Sequence, residues 1–310
     1  MTAPSQPVDG PAFSVIQEGS PDGVPVKIVA KSRAETSESV ILFSFHGALD
    51  QSKRTLPYFD HAYPLAAMGG ASTTVISVSD PSLRCHRELG LAWYAGDPLA
   101  DTMTLLAALV DALLQANPKA KFIFEGGSTG ARPALLLSHR VPESLCVVSN
   151  PLVSMRHWPK GVVDYARWCW PELPLDTVIA DREVNGVLQL YPKGHTNWVI
   201  VLQNAFDPFF PKSILPILGG AFTNSKRFLL LSEYFEGLLA HDYPWQNWKA
   251  WRRAFTRSNP IILSEIAQAA AECIRAAQPA ERAPKTVRAF DPRDLEIARQ
   301  LHASARSSST

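Results

Sequence analysis

The chain has 310 residues, of which 46% are hydrophobic and 19% are charged, a composition that supports a packed core and argues against general disorder. Its 30 Lys and Arg residues nearly balance 29 Asp and Glu residues, for a net charge of +1, so we expect neither a nucleic-acid partner nor binding to an anionic membrane. Four widely spaced cysteines without a CxxC pair argue against a structural zinc site.

Both ends of the chain lack the pattern of a packed domain. Residues 1–11 carry three prolines and predict a flexible leader, without the charged start and apolar core of a signal peptide. Residues 278–310 predict a linker, a short helix around Pro292–His302 and a disordered tail. No apolar run reaches the ~18 residues that a membrane span needs. The sequence therefore predicts a cytoplasmic chain with reduced thiols, whose single domain covers residues 12–277.

Within this domain, short apolar runs alternate with helical patterns, which predicts crossover units and a mostly parallel sheet flanked by helices. Strands are predicted at Phe13–Gln17, Val24–Lys31, Val40–His46, Thr73–Ser79, Phe122–Glu125, Val147–Asn150, Trp198–Asn204 and Arg227–Glu233. Helices are predicted at Met103–Ala116, after the glycine turn through His139, at Trp245–Phe255 and at Ile261–Ala277. Residues 154–195 are rich in Trp, Pro and Arg without strand signals, and predict a helical cap insertion over one end of the sheet.

The segment Phe122–Arg132 places a G-x-S-x-G pattern directly between a strand and a helix. A nucleophilic serine at such a turn adopts a strained backbone conformation, so Gly126 and Gly130 must lack side chains around Ser128. The N-terminus of the next helix supplies N–H groups and a positive dipole end for a developing oxyanion. The pattern predicts Ser128 as a nucleophile; the alternative is a plain glycine turn. It is not a P-loop, because no Lys follows the second glycine.

A serine nucleophile requires a base and an acid that orients this base. Asp207 follows the strand Trp198–Asn204, and His241 follows the next strand and a loop of small residues, so both come in the order that this arrangement needs. His195 precedes its strand and would lie at the opposite edge of the sheet. Glu233 and Asp242 are alternative acids. The remaining histidines are assigned to helices or their ends (His86, His139) or to the surface (His61, His157, His302).

The second oxyanion donor is expected from the loop after an earlier strand. There, the apolar strand ends in His46-Gly-Ala48, so the backbone N–H groups of Ala48 and Thr129 are the predicted oxyanion hole, with His46 bracing the loop. Arg132 reads as a solvated surface residue, although it could reach an anionic substrate group, and Glu125 has no assigned role. The tryptophans of the insertion are interpreted first as packing it onto the domain. The alternative is a substrate pocket, for which the candidate residues are His46, Trp158, Trp168 and Trp170.

These motifs resemble the α/β-hydrolase superfamily over about residues 25–277. A finer similarity, in Leu91–Asp97, Gly126–Gly130 and Val148–Pro151, is to bacterial capsule polysaccharide O-acetyltransferases and the acetyltransferase of the accessory secretion system. That group commonly has Gln where Leu152 stands, and small residues where Arg132 and Pro133 stand. The resemblance implies a central sheet, a Ser–His–Asp triad and, for the finer group, acetyl transfer from acetyl-CoA to a sugar hydroxyl.

The residues and the resemblance together predict an α/β-hydrolase fold carrying a serine enzyme that works through an acyl-enzyme. Water is the default acceptor, so hydrolysis of a carboxylic ester is the first hypothesis. The alternatives are O-acetyl transfer to a glycan, with acetyl-CoA as co-substrate, and a catalytically inactive binding protein that has kept the fold. Neither a metal nor a redox cofactor is expected, the substrate is a small ester or a glycan, and the oligomeric state is not indicated.

Overall fold

The computed structural model describes residues 14–18, 24–31, 39–59, 72–204, 207, 220–222 and 225–233. In this part of the chain, eight strands form one sheet with the order β1-β2-β4-β3-β5-β6-β7-β8. Strand β2 runs antiparallel to both of its neighbours, whereas the pairs from β4 through β8 are parallel. The strands are β1 Ser14–Glu18, β2 Val26–Lys31, β3 Ser39–Phe45, β4 Ser72–Val78, β5 Lys121–Gly127, β6 Leu145–Ser149, β7 Trp198–Asn204 and β8 Phe228–Glu233.

Two helices make the crossovers next to the central strands. Helix α1 (Thr102–Ala116) connects β4 to β5, and begins where the Asp101 side chain accepts the N–H of Thr104 at 3.2 Å. Helix α2 (Ala131–Arg140) connects β5 to β6 and packs against both strands. Its first eight residues are all buried, so even the polar side chains of α2 lie inside the molecule.

Every residue between β6 and β7 is described, and this stretch contains only helices, turns and loops. Its helices are α3 Pro159–Cys169, α4 Leu175–Glu183 and α5 Val187–Leu190. Apolar side chains of α3 and α4, such as Val162 and Val178, pack against Leu83 and Trp93 from the segment that follows β4. The predicted helical insertion is therefore present and covers the loops at the carboxyl ends of the strands. We call the segment from α3 through α5 the cap.

The central strands end almost level with one another, which brings their following loops to one edge of the sheet. Gly127 at the end of β5 pairs with Ser149 of β6, and Ser149 pairs with Leu202 near the end of β7. In α/β folds this carboxyl edge is where functional side chains converge. The predicted helices after residue 244 and the predicted terminal segments, residues 1–11 and 278–310, lie outside the described residues.

Candidate active site

Ser128 has a backbone conformation that few residues other than glycine adopt. Its φ is 53°, in the left-handed region that costs free energy for an L-residue. A Cβ added to Gly126 would overlap the backbone oxygen of Gly130, and one added to Gly130 would overlap that of Phe45. The two glycines thus allow the tight turn from β5 into α2, and the half-buried Ser128 lies at the carboxyl edge.

The loop after β3 lies directly beside Ser128. A Cβ added to Gly47 would be 3.2 Å from the Cβ of Ser128, so Gly47 lies against the serine. Asp80 N–H donates to His46 Nε2 at 3.1 Å, so Nδ1 carries the ring proton and donates it to Gly47 O at 2.7 Å. His46 is buried and holds this loop, which is the bracing role expected from the sequence.

Asp207 lies at the same edge, three residues after the end of β7. It is only 3% exposed. Its N–H donates to Asn204 O at 3.0 Å, and its Oδ2 accepts a weak hydrogen bond from Gln203 Nε2 at 3.4 Å. One strand, β6, separates β7 from β5, so the ends of these two strands are about 10 Å apart.

The predicted base, His241, lies outside the described residues, as does Asp242, and its role stays a prediction. The rival His195 is placed at the amino end of β7, opposite the edge that carries Ser128. Its Nε2 lies 2.7 Å from Ser225 Oγ, and its Nδ1 lies 3.0 Å from Asn197 O. Burial lowers the pKa of His195, and the hydrogen bonds to Asn197 oppose that shift.

Two polar residues assigned to the surface are buried, and those predictions are wrong. His157 is 6% exposed, in a short turn where the chain enters the cap. Arg132 is 3% exposed, because α4 and the segment around Trp93 cover the first turn of α2. Its NH2 group donates to Arg182 O at 2.6 Å, and its NH1 group donates to Trp93 O at 3.3 Å.

The tryptophans of the insertion make packing contacts within the insertion and with the loops below it. Trp168 stacks on His86 with ring centroids 3.5 Å apart. Trp170 donates from Nε1 to Tyr165 Oη at 2.9 Å. All three insertion tryptophans are half-buried against the apolar cluster of the cap. These contacts agree with the packing interpretation of the tryptophans.

Two buried carboxyl groups lie close to the strand ends. Glu125 accepts a hydrogen bond of 2.5 Å from Ser44 Oγ, across the β3–β5 pair. Asp80 was not identified from the sequence; its carboxylate accepts the N–H groups of Tyr94 at 2.8 Å and Ser82 at 3.1 Å. Burial raises the pKa of Asp80 to about 6, although these hydrogen bonds oppose the rise. The one available signal was its position at a strand end before a proline.

Among the described residues, no group of three His, Cys, Asp or Glu side chains is arranged to hold a metal ion. In the same part of the chain, no helix is both long enough and apolar enough to cross a bilayer.

No family model matches the sequence, and no curated protein matches it either. Among solved structures, the 2,6-dihydroxy-pseudo-oxynicotine hydrolase is similar with a TM-score of 0.50 and 12% identity, over 89% of this chain and 72% of that chain. An esterase from Pyrobaculum calidifontis has a TM-score of 0.47 and 14% identity, over 88% and 87% of the two chains. FphF, a fluorophosphonate-binding serine hydrolase from Staphylococcus aureus, has a TM-score of 0.48 and 12% identity, over 84% and 99%.

The strand order, the single reversed strand β2 and the sharp turn at Ser128 define the α/β-hydrolase fold. The first of these structural similarities agrees with that assignment. This chain therefore has the α/β-hydrolase fold, as the resemblance in its sequence implies.

Proposed function

We propose that the protein is a serine-dependent acyl-transfer enzyme that hydrolyses a carboxylic ester through an acyl-enzyme on Ser128. The observation that carries the proposal is the conformation of Ser128: a half-buried serine held at φ 53° between β5 and α2. Strain of this kind persists only where the surrounding structure enforces it, and it is concentrated at functional sites. A plain glycine turn would not need a strained serine at its centre.

In the first half of the reaction, Ser128 Oγ attacks the ester carbonyl while His241 accepts its proton. The backbone N–H groups of Ala48 and Thr129 would stabilise the negative oxygen of the tetrahedral intermediate. The C–O bond to the leaving alcohol then breaks, and His241 returns the proton to that alcohol. Asp207 orients the imidazole and stabilises its charged form. The acyl group is left on Ser128.

In the second half, water attacks the acyl group, and His241 accepts a proton from it. Collapse of the second tetrahedral intermediate breaks the bond to Ser128 Oγ, which regains its proton from His241. The product is a carboxylic acid, and the proposed reaction consumes only the ester and water. The acceptor alone decides whether the reaction is a hydrolysis or a transfer, because both use the same Ser128 ester.

A second candidate is O-acetyl transfer, with acetyl-CoA as donor and a glycan hydroxyl as acceptor. It is favoured by the position of Leu91–Asp97, one of the motifs that carry the similarity to surface-glycan acetyltransferases. Within this motif, Tyr94 Oη lies 3.4 Å from the carbonyl of His46, against the loop that would form the oxyanion hole. The motif is thus next to the reacting groups of the proposal.

The experiment combines fluorophosphonate labelling with two assays of acetyl release and transfer. Wild-type protein should be labelled and should hydrolyse p-nitrophenyl acetate, whereas Ser128→Ala should lose labelling and several orders of magnitude in turnover. Ser225→Ala, at the opposite edge of the sheet, is the matched control and should behave as wild type. Incubation with acetyl-CoA and polysaccharide acceptors, with free acetate and acetylated glycan measured separately, tests the transferase.

Two results would contradict the proposal. Labelling that persists in Ser128→Ala would move the nucleophile elsewhere. A folded wild-type protein that is neither labelled nor active on esters would support the third alternative, a binding protein without catalysis.

A further inference from the structure

Trp93 and Tyr94 form a second strained turn near the site. Both residues have φ 54°, and both are buried and carry bulky side chains. An aromatic residue in the left-handed region is strained, and this conformation persists only where the surrounding structure enforces it. Two consecutive aromatic residues in this conformation indicate that strong contacts hold the turn.

The contacts come from the strand end below the turn and from α2. Asp80 Oδ2 accepts the N–H of Tyr94 at 2.8 Å, and Tyr94 Oη donates to Val78 O at 3.0 Å. Asp80 also donates its own N–H to His46, which holds Gly47. A further contact comes from Arg132, whose NH1 group donates to the carbonyl of Trp93 at 3.3 Å. The turn is therefore connected on one side to the oxyanion loop and on the other to the helix of the nucleophile.

The position of Arg132 is unfavourable by itself. It lies in the first turn of α2, at the positive end of that helix dipole, where a cation is destabilised. It is buried, and burial lowers its pKa, which the nearby Glu183 carboxylate opposes. A buried charge in this place costs free energy unless its contacts offset that cost.

Those contacts reach the cap as well as the turn. The NH2 group of Arg132 donates to the carbonyl of Arg182 at 2.6 Å, in the last turn of α4. The final carbonyls of a helix have no partner inside that helix, and its C-terminal end is negative. Arg132 thus satisfies an α4 carbonyl with a cation, and one guanidinium joins the nucleophile helix, the strained turn and the cap.

We propose that Arg132 is a positioning residue for acylation of Ser128. By holding the Trp93–Tyr94 turn and α4 on α2, it keeps the loop at His46–Ala48 in place beside the nucleophile, although it does not touch the substrate. This inference rests on the proposed function of Ser128. Arg132 acts on the rate of attack, through the oxyanion loop, more than on substrate affinity.

The test compares Arg132→Met and Arg132→Lys with Arg140→Met as the matched control. Arg140 lies on the same helix, where it forms a partly exposed ion pair of 2.8 Å with Asp111. The kcat for p-nitrophenyl acetate is expressed per titratable Ser128, and KM and the rate constant of fluorophosphonate labelling are measured on the same samples. Arg132→Met should lower kcat and the labelling rate constant about 10- to 100-fold, with KM nearly unchanged. Arg132→Lys should recover part of the loss, and Arg140→Met should equal wild type.

A purely structural role gives a different result. The thermal midpoint and the fraction of active protein would fall, but the rate per titratable Ser128 would stay at the wild-type value, and this result would overturn the inference. If Arg132→Met does not fold, Arg132→Lys decides, and a wild-type rate in that variant overturns the inference. A wild-type protein that is not labelled would instead refute the proposed function, and the positioning role with it.

Discussion

In the proposed triad, Asp207 is the acid that orients His241, and its contribution to the reaction rate can be measured directly. Asp207→Asn should lower kcat by up to ~10⁴ with KM nearly unchanged, because Asn keeps the shape of the side chain but favours the wrong tautomer of His241. Steady-state kinetics on p-nitrophenyl acetate provide the measurement. Asp111→Asn, half-exposed on α1, is the control. Near-normal turnover in Asp207→Asn would transfer the role to another carboxylate, with Glu233 at the end of β8 the next candidate.

The base should be recognised by its pH dependence. His241 must be neutral to accept the Ser128 proton, and a free imidazole titrates near ~6.5, so kcat/KM should fall in acid as one proton binds. His241→Ala should abolish this activity. His195→Ala should keep the acid limb, since His195 lies at the other edge of the sheet against Ser225. Activity lost in a folded His195→Ala protein but kept in His241→Ala would exclude the proposed triad.

Hydrogen bonds help apolar packing to attach the cap to the loops below it. Tyr165 on α3 donates to Gly96 O at 2.6 Å and accepts from Trp170 Nε1 at 2.9 Å. Tyr165→Phe leaves both partners without this hydroxyl, which should lower the free energy of unfolding by about 1–3 kcal/mol in urea denaturation. Val163→Ala, at an exposed position of the same helix, should have little effect.

Amide hydrogen exchange shows which elements lose stability in Tyr165→Phe. Amides of α3 and α4 should exchange faster in Tyr165→Phe, while β5 and β6 keep their protection, because α3 and α4 pack in an apolar cluster separate from that of the sheet. Equal acceleration throughout the sheet would show that the cap and the sheet open as one unit.

Most secondary-structure elements were predictable because each produces a local apolar pattern. The observed strand β7 has the bounds predicted for it, Trp198–Asn204. Strand β5 extends two residues beyond its predicted end, since Gly126 and Gly127 still pair with Val148 and Ser149. The local sequence suggested that the turn begins at Gly126, directly after Glu125. The pairing shows that the chain leaves the sheet at Ser128.

Asp80 should make the free energy of unfolding of the whole molecule depend on pH. Its pKa is raised from 3.8 to about 6 in the folded protein, so the folded state holds this proton more tightly than the unfolded state. The resulting stabilisation is complete below pH 3.8 and is lost as the pH rises through about 6, an effect of up to about 3 kcal/mol.

Urea unfolding of Asp80→Asn and wild type at several pH values tests this. The difference in unfolding free energy between the two proteins should change between pH 4 and pH 7, with wild type losing stability relative to the variant. Asp50→Asn is the control, because Asp50 is exposed and its pKa is lowered to about 2, below this range. A constant difference for Asp80→Asn would show that its pKa is not raised.

The sequence by itself determined the alternating architecture and the place of the sharp turn that carries Ser128, the proposed nucleophile. Both follow from short-range patterns: a buried parallel strand is a continuous apolar run, and the turn at Ser128 needs glycines only two residues away. The order of Asp207 after β7 follows from the same reasoning. These inferences are possible because the residues that allow strand burial or a sharp turn are close neighbours in the sequence.

Only the tertiary structure decided which polar residues are buried and what they contact. Arg132 reads as a surface residue because nothing in its own helix shows that Arg182, fifty residues later, brings α4 over it. Asp80 likewise links two distant segments, because its carboxylate accepts the N–H of Tyr94 and its own N–H donates to His46. Burial of a charged side chain depends on the packing of distant elements and on hydrogen bonds that offset desolvation. Hydrophobic periodicity records which face of an element is apolar, and carries no information about those partners.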